Sequence, residues 1–360
     1  MEDMRRFIFF SFLLASAAVA VACSTETIVK NAAPAADGGP GVVTDEDAGP
    51  PGEAPDAAPV DRSVKGTWEK LTVNPPDGTP IVELASVIVR SPTDVYVAEG
   101  ASNLGTGFYH YDGKGWTGVR YSGFATRLVG VGTDVLSYGS DLFIKAKSDE
   151  WERIPQPATS GGSPASIWSL WGTRADDFYA STAAGNMRVD SDGWSDVAAL
   201  GTAEGTFTGS GAKDVWFASA KGKLLSHYDG TKWQNQFESL PEEIKAYPVE
   251  GPYSMFTSGP GDVWAMGRAR TLLHYDGAAW TVVPGPDDEW GCDLARGWAS
   301  SKKNAWLVGS KGCVFHWDGK AWEKIPSGVT ENIYGIHGTD AEHVWIAPYS
   351  KTTVLRLKPE

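Results

Sequence analysis

Histidine and cysteine are the side chains with the most versatile chemistry in this 360-residue chain, which has six histidines and three cysteines. Four of the histidines, His110, His227, His274 and His316, open the phrase His-Tyr-Asp-Gly or His-Trp-Asp-Gly. They occupy one repeat position in four different repeats, so they cannot converge on a single metal ion. The sequence also lacks G-x-S-x-G, H-E-x-x-H, P-loop and dinucleotide-binding motifs. We therefore expect a structural role for these histidines and predict no metal site and no cofactor.

The histidine phrase is part of a longer repeat of about 42 residues. An Asp-Val-Trp element or a variant of it begins at residues 94, 134, 177, 214, 262, 304 and 343. A closing Trp follows the phrase and recurs at residues 68, 116, 151, 194, 233, 280 and 322. Four short strands in a repeat of this length are typical of a β-propeller blade. The seven copies predict an all-β, seven-bladed β-propeller over residues 66–360.

The two series of repeat elements are out of phase, since Trp68 precedes every Asp-Val-Trp element. We predict that the strand around Trp68 becomes the outermost strand of the last blade and closes the ring, which removes the open sheet edges. Within each blade, the Asp that begins the Asp-Val-Trp element is expected to accept backbone N–H groups of the preceding turn. The Asp-Gly pair is expected to form the tight turn between the third and fourth strands.

The repeat resembles BNR or Asp-box-like propellers and the uncharacterised propeller lipoproteins of Gram-negative bacteria with large genomes. The resemblance covers roughly residues 66–360. An Asp-box has the order S-x-D-x-G-x-x-W, whereas here Gly follows Asp directly, Trp comes four residues after Asp, and the Ser is missing. The resemblance therefore implies the fold but weakens any transfer of glycosidase activity.

Candidate ligand-binding residues are expected near the starts of the innermost strands, where loops surround the axial mouth. Sialidase-like enzymes resembling this family need an arginine cluster. Here Arg127 and Arg296 fall at the starts of predicted inner strands in blades 2 and 6, with no convincing third arginine. The other candidates are aromatic: Trp168, Trp171, Tyr253 and Trp290. For Trp168 and Trp171, packing between blades is an equally good interpretation.

Two cysteines fall in the sixth repeat. Cys292 lies in the loop before the inner strand, and Cys313 follows the loop between the second and third strands. These two loops share one face of a propeller, and an oxidising compartment permits a disulfide there. We predict a bridge between Cys292 and Cys313, with two free thiols as the alternative.

The N-terminal residues have the pattern of an export signal. Two arginines precede an apolar run over residues 7–22, which is short for a membrane span. The small residues before Cys23 resemble the lipobox of bacterial lipoproteins, which implies a signal peptide over residues 1–22 and a lipidated Cys23. An ordinary secretory signal is the alternative. Residues 23–65, rich in Ala, Pro, Gly and Asp, are predicted to form a disordered tether. Ser24 follows the cysteine, which resembles lipoproteins that are passed on to the outer membrane of Gram-negative bacteria. This resemblance implies an outer-membrane location, on the periplasmic or the surface side.

Charge and composition restrict the class of partner. The net charge of −14 argues against nucleic acid, because phosphate contacts need clustered Lys and Arg. We expect a monomer that contacts the membrane through its lipid anchor only. The predicted function is a binding or scaffolding module for an envelope protein or glycan, without catalysis. The alternative is a glycoside hydrolase of the sialidase-like kind on a BNR-like propeller.

Overall fold

The computed structural model describes residues 66–75, 78, 80–100, 105–145, 150–219, 224–245, 254–267, 272–284 and 291–359. The predicted signal peptide, Cys23 and the tether lie outside the described residues. The strands form seven four-stranded antiparallel sheets; six have their neighbouring strands in chain order, and the seventh combines the first strand of the chain with the last three. The predicted seven-bladed propeller is thus confirmed.

The first three blades follow one another along the chain. Blade 1 consists of β2 (Leu84–Ser91), β3 (Asp94–Glu99), β4 (Thr106–Tyr111) and β5 (Trp116–Tyr121). Blade 2 consists of β6 (Ala125–Val131), β7 (Asp134–Gly139), β8 (Leu142–Lys145) and β9 (Trp151–Arg153). Blade 3 consists of β10 (Ile167–Arg174), β11 (Asp177–Thr182), β12 (Gly185–Asp190) and β13 (Gly193–Asp196).

The next three blades have the same order. Blade 4 consists of β14 (Gly205–Gly211), β15 (Asp214–Ser219), β16 (Leu225–Tyr228) and β17 (Trp233–Asn235). Blade 5 consists of β18 (Ser254–Gly259), β19 (Asp262–Met266), β20 (Leu272–Tyr275) and β21 (Trp280–Val283). Blade 6 consists of β22 (Leu294–Ser301), β23 (Asn304–Gly309), β24 (Val314–Trp317) and β25 (Trp322–Lys324).

Blade 7 joins the two ends of the propeller. It consists of β26 (Ile333–Gly338), β27 (Val344–Pro348), β28 (Thr353–Pro359) and the N-terminal β1 (Gly66–Thr72). Strand β1 pairs with β28 over all seven of its residues, with Trp68 opposite Leu357. The ion pair between Glu69 and Arg356 crosses the same two strands, with Oε2 and Nη2 2.6 Å apart. The predicted closure by the segment around Trp68 is therefore confirmed.

The ring is held together by apolar contacts between adjacent blades. The first strands of consecutive blades contact each other around the ring, and β26 contacts β2. The second strand of a blade is packed on both sides, and it reads as a nearly continuous apolar run for that reason. Its tryptophans Trp216, Trp264, Trp306 and Trp345 are all fully buried. Each packs among rings or aliphatic side chains of an adjacent blade, as Trp216 does against Trp280 at 5.5 Å.

The turns between the third and fourth strands follow the Asp-Gly prediction. In blade 1, Asp112 Oδ1 accepts the backbone N–H groups of Lys114 and Gly115 at 2.8 and 2.9 Å. Gly113 has φ of 89°, a conformation that favours glycine. The same carboxylate-to-backbone bonds recur in blades 4, 5 and 6.

Helical structure in the described residues is confined to short turns. These are α1 (Glu242–Lys245) and 3₁₀ turns at Ala198–Leu200, Phe237–Ser239 and Ser310–Gly312. No helix in the described ranges has the length and apolar character needed to cross a membrane.

Candidate functional site

The repeated histidines bind side chains of their own blades. Nε2 of His227 lies 2.7 Å from Oδ1 of Asp214, and the same pairing joins His110 to Asp94 at 2.7 Å. The imidazole of His227 also stacks on the ring of Trp216, with centroids 4.2 Å apart. Blades 5 and 6 repeat this arrangement. The histidines thus link the second and third strands of a blade, as a structural role requires.

The aspartates at the start of the second strands have different partners from those expected. Asp214 accepts hydrogen bonds from the side chains of Ser210, Trp216 and His227, rather than from a turn backbone. Burial alone would raise the pKa of Asp214, but the hydrogen bonds from His227 and Ser210 lower it below its ordinary value. The expectation of backbone bonds missed this network because the His and Ser come from neighbouring strands.

Blade 6 carries a neutral version of the network. Asn304 replaces the aspartate and its Oδ1 lies 2.8 Å from His316 Nε2, while its Nδ2 donates to Ser300 Oγ at 2.6 Å. Burial lowers the pKa of His316 to about 4, and the charge of Asp318 opposes this shift only partly. A neutral imidazole is therefore the stable form of His316 at neutral pH.

The mouth of the propeller lies on what we call the top face. Two kinds of loop form the top face. One kind precedes the first strand of a blade, as at residues 122–124 and 330–332. The other kind joins the second and third strands, as at residues 140–141 and 310–313. Backbone bonds connect the two kinds of loop, as Asp141 N–H to the Phe124 carbonyl at 3.0 Å. Tyr349 N–H bonds the Asn332 carbonyl in the same way at 2.7 Å.

One residue of each first strand lies at the same height just below the top face. The third residue of each Asp-Val-Trp element is Trp, Tyr or Leu, and it lies in the second strand. Each residue of this set pairs with the second-strand residue two places after it. We call this set the axial layer: Ser86, Arg127, Ser169, Thr206, Ser254, Arg296 and Gly335. Five of its seven members are small, and the two predicted arginines are the large ones.

Small hydroxyl residues in the axial layer connect adjacent blades. Ser86 Oγ accepts the backbone N–H of Leu128 in blade 2 at 2.9 Å. Ser169 Oγ accepts the backbone N–H of Phe207 in blade 4, also at 2.9 Å. The position therefore has a structural use that serine satisfies, and an arginine there departs from the repeat.

The structure places Arg127 and Arg296 in blades on opposite sides of the ring, yet their charges interact. Arg127 Nη1 donates to the Trp168 carbonyl at 3.2 Å, and Arg296 Nη1 donates to the Ala295 carbonyl at 2.8 Å. Burial lowers the pKa of Arg296 to about 10, and the positive charge of Arg127 lowers it further. The two residues occupy equivalent register positions on the first strands of blades 2 and 6.

Exposed aromatic side chains lie at the top face, in the loops or at the start of a first strand. Tyr334 is 40% exposed and Tyr349 37%, and their rings meet edge to face with centroids 5.5 Å apart. Asn332 Nδ2 donates to the Tyr334 hydroxyl at 3.1 Å. Phe124, 43% exposed, lies in the loop before β6. This combination of aromatic rings and cations is suited to contact with a partner.

The other predicted aromatic residues are distributed differently. Trp168 is half-buried at a β-bulge near the start of β10, next to the axial layer. Trp171 is half-buried between blades 3 and 4, next to Gly209 and against the buried cluster that includes Phe207, which favours the interpretation of packing between blades. Tyr253 and Trp290 lie outside the described residues.

The predicted disulfide is present on the top face. Cys292 and Cys313 are bonded, with Cα atoms 6.5 Å apart. The bridged loop contains Lys311, a non-glycine residue with φ of 55°. Its backbone N–H donates to Asn332 Oδ1 at 3.1 Å, and its Nζ to the Gly291 carbonyl at 3.0 Å. The first bond joins the top-face loops of blades 6 and 7, and the second joins two loops of blade 6.

Sequence reasoning missed Tyr334 and Tyr349. A signal for Tyr334 exists, because it occupies the bulge position at the start of a first strand. The corresponding residues are Ala85, Thr126, Trp168 and Ala295, so Tyr334 and Trp168 are the bulky exceptions. Tyr349 has no comparable signal. The described residues contain no group of three His, Cys, Asp or Glu arranged to hold a metal ion.

Comparison with known proteins identifies the fold but not a family. No family model matches the chain, and no curated protein matches it. The structure of YCF48 bound to D1 peptide is similar, with a TM-score of 0.60 at 14% identity, covering 81% of this chain and 97% of that one. Inactive virginiamycin B lyase from Staphylococcus aureus with quinupristin has a TM-score of 0.63 at 12% identity, covering 82% and 100%.

A third similar structure is the WD40 propeller domain of Doa1. Its TM-score is 0.55 at 9% identity, and the match covers 81% of this chain and 96% of that one. The three proteins include a peptide-bound protein, a lyase and a WD40 domain. Identities this low establish only the propeller architecture, so the site itself must carry any functional argument.

Proposed function

We propose that this chain is an exported, lipid-anchored module that binds an envelope protein or glycan through the top face of its propeller. The main support for the proposal is that some residues at the top face differ in size or charge from the residues at equivalent positions of the other blades. Arg127 and Arg296 stand where the other five blades place small residues. Tyr334 stands at a bulge position where three blades place Ala or Thr and one places Trp168. Bulky and charged exceptions at one face, on a rigid ring, are what a binding surface requires.

Several features support a binding role over catalysis. The described residues offer no metal cluster, and the histidines are engaged within blades. The similar structures include YCF48 with a bound peptide and a WD40 domain. The anchor part of the proposal rests on Cys23 and the small residues before it. We propose a monomer at the outer membrane.

Site-specific photo-crosslinking in cells tests the binding face. A benzophenone amino acid at Tyr334 of the full chain is expected to capture one or a few partners. The matched control is the same amino acid at Val282, which is 38% exposed on the outermost strand of blade 5. Equal capture at both positions, or none at Tyr334, contradicts the proposal. Replacing Cys23 by alanine is expected to release the protein from the membrane fraction.

A glycoside hydrolase is the second candidate because two arginines occupy equivalent positions on the first strands of blades 2 and 6. The sialidase-like arrangement needs three arginines, and the axial layer holds two, Arg127 and Arg296. Aryl glycosides of acidic and neutral sugars are the appropriate substrates for an assay. We expect no turnover; turnover that Arg296→Ala abolishes would replace the binding proposal with this one.

A further inference from the structure

Blade 7 carries two tyrosines on the top face, at positions that other blades fill mostly with small residues. Tyr334 occupies the bulge at the start of its first strand, where blades 1, 2 and 6 have alanine or threonine. Tyr349 donates its backbone N–H to the carbonyl just before that strand. The residues that make the same bond in blades 1, 3 and 6 are Gly100, Ala183 and Ser310. The architecture of a blade therefore requires no aromatic ring at either position.

The rings of Tyr334 and Tyr349, which we call the tyrosine pair, contact each other and are held at both hydroxyl groups. Their centroids are 5.5 Å apart and their planes lie at 74°. Asn332 Nδ2 donates to the Tyr334 hydroxyl at 3.1 Å, and the Tyr349 hydroxyl bonds the Glu83 carboxylate. A Cβ atom at Gly100 would lie 3.3 Å from Tyr349 Cε2, so this ring lies against the backbone of blade 1. The pair is thus fixed in place although both rings are partly exposed.

A loop of blade 6 supports the tyrosine pair through Asn332. The backbone N–H of Lys311 donates to Asn332 Oδ1 at 3.1 Å, so contacts run from blade 6 through the pair to blade 1. Lys311 has φ of 55° and ψ of 34°, a left-handed conformation that costs a non-glycine residue free energy. Such conformations persist where the surrounding structure enforces them, and they are concentrated at binding sites. A pair that is fixed before binding has a lower ordering cost when a ligand arrives.

The angle between the two rings favours a compact, ring-shaped ligand over a peptide. Proline-rich peptides dock into grooves lined by aromatic side chains. An edge-to-face pair forms a corner instead, which presents the face of one ring and the edge of the other. A pyranose has C–H groups on its faces and hydroxyl groups around its rim. Its face can lie on an aromatic ring, because the π electrons attract the C–H groups.

The polar groups around the tyrosine pair suit the hydroxyl groups of a neutral sugar. The Tyr334 hydroxyl accepts a bond from Asn332 Nδ2, so its own proton can be donated, and the second N–H of Asn332 is a further donor. The Glu83 carboxylate supplies acceptors. Charges of both signs border the pair, since Lys311 bonds Asn332 and Glu83 bonds Tyr349. The local charge therefore favours neither an anion nor a cation.

We propose that the tyrosine pair binds one neutral pyranose unit of a glycan by stacking, while Asn332 and Glu83 hydrogen-bond its hydroxyl groups. This inference rests on the proposed function and selects a glycan over a protein as the group that the top face recognises. It involves no bond cleavage and does not use the arginines of the axial layer.

Saturation-transfer NMR on the full chain, in a detergent without a sugar head group, tests the site. The neutral probes are the methyl β-glycosides of glucose, galactose and N-acetylglucosamine. The methyl β-glycosides of glucuronate and glucosamine are the charged counterparts, and a proline hexapeptide represents a protein partner. We expect at least one neutral sugar to bind, with the strongest saturation on the C–H groups of one face of its ring.

Substitutions distinguish stacking from general adhesion to exposed aromatic residues. Tyr334→Ala and Tyr349→Ala should each weaken sugar binding by about tenfold or more, because each removes a contacting ring. Tyr334→Phe keeps the ring and should retain most of the affinity. Phe124→Ala is the matched control, since Phe124 is 43% exposed on the top face of blade 2, and its loss should leave binding unchanged. Thermal unfolding without probe shows whether each variant is folded.

Four results would overturn the sugar site. These are no binding of any neutral sugar, tighter binding of a charged sugar, equal losses for Phe124→Ala and Tyr334→Ala, and binding of the proline peptide in place of the sugars. The last result would indicate a protein partner instead.

The two proposals fail in different ways. Capture of a protein at Tyr334 in cells, with no binding of any sugar probe, would refute the sugar site alone. Sugar binding that depends on both tyrosines, without any captured partner, would refute the envelope-partner proposal and leave the sugar site standing.

Discussion

Replacing Arg296 by methionine is expected to stabilise the protein, because the folded state holds this guanidinium at an electrostatic cost. Burial, followed by the charge of Arg127, lowers the pKa of Arg296 well below the ordinary arginine value, to about 10. At about 1.4 kcal/mol per pKa unit, the shift corresponds to about 3 kcal/mol. Methionine keeps a similar stem but loses the bond to the Ala295 carbonyl, which offsets about 1 kcal/mol. The expected gain in the free energy of unfolding is about 2 kcal/mol.

The pH dependence of this gain follows from the direction of the pKa shift. The folded-state pKa of Arg296 lies below the unfolded-state value, so the folded state binds the proton more weakly. The cost is fully present at every pH below about 10, and it disappears only as the pH rises toward the ordinary pKa of arginine. The advantage of the methionine variant should therefore be constant across neutral pH.

Urea unfolding of wild type, Arg296→Met, Arg127→Met and the double variant measures the gain and its coupling. If the two charges repel each other, either single substitution should reduce the gain obtained from the other. Arg174→Met is the control, because its exposed guanidinium pairs with Asp176 and should give no gain. A less stable Arg296→Met protein, or gains that add fully in the double variant, would refute the electrostatic reasoning for the axial layer.

Three further predictions concern stability. Cys292→Ala should lower the free energy of unfolding by about 3 kcal/mol, and a reducing agent should affect wild type but not the variant. Deleting residues 1–65 should leave the melting temperature of the propeller unchanged, whereas deleting residues 1–72 also removes β1 and should cause a lower melting temperature and aggregation. Lowering the pH from 7 to 4.5 should cost about 2 kcal/mol at His316, because its folded-state pKa of about 4 lies below the unfolded value and stability is lost as the pH falls. Asn304→Asp supplies the carboxylate that pairs with the histidine in blades 1, 4 and 5, and it should reduce that loss. Urea unfolding at both pH values measures the loss for each protein. Equal losses in wild type and variant would contradict the assignment of the loss to His316.

The repeat made much of the fold predictable. Seven Asp-Val-Trp elements gave seven second strands, because a strand packed on both faces must be apolar throughout. Trp68 precedes every Asp-Val-Trp element, and the last repeat has no closing Trp strand of its own. The pairing of β1 with β28 was predictable from this offset, because an unpaired sheet edge is costly. The bridge between Cys292 and Cys313 was predictable from the two loops that a blade places on one face.

The candidate site was predictable only in part. Arg127 and Arg296 lie near the starts of inner strands, as the sequence predicted, and their role in binding stays a prediction. For Trp171, the structure favours the alternative of packing between blades. Tyr334 and Tyr349 were missed. Which side chain faces the axis depends on bulges at the strand starts, and a shift of one residue turns a side chain to the other face.

The amino-acid sequence by itself determined the number of blades, the order of strands and the way the ring closes, since these follow from periodic local chemistry. Only the tertiary structure decided that His227 hydrogen-bonds Asp214, or that Lys311 in blade 6 donates to Asn332 in blade 7. Contacts of this kind depend on strand register and on the closed circle, which bring together residues that are distant along the chain. A repeat defines each blade locally, whereas the axial layer exists only once all seven blades are assembled.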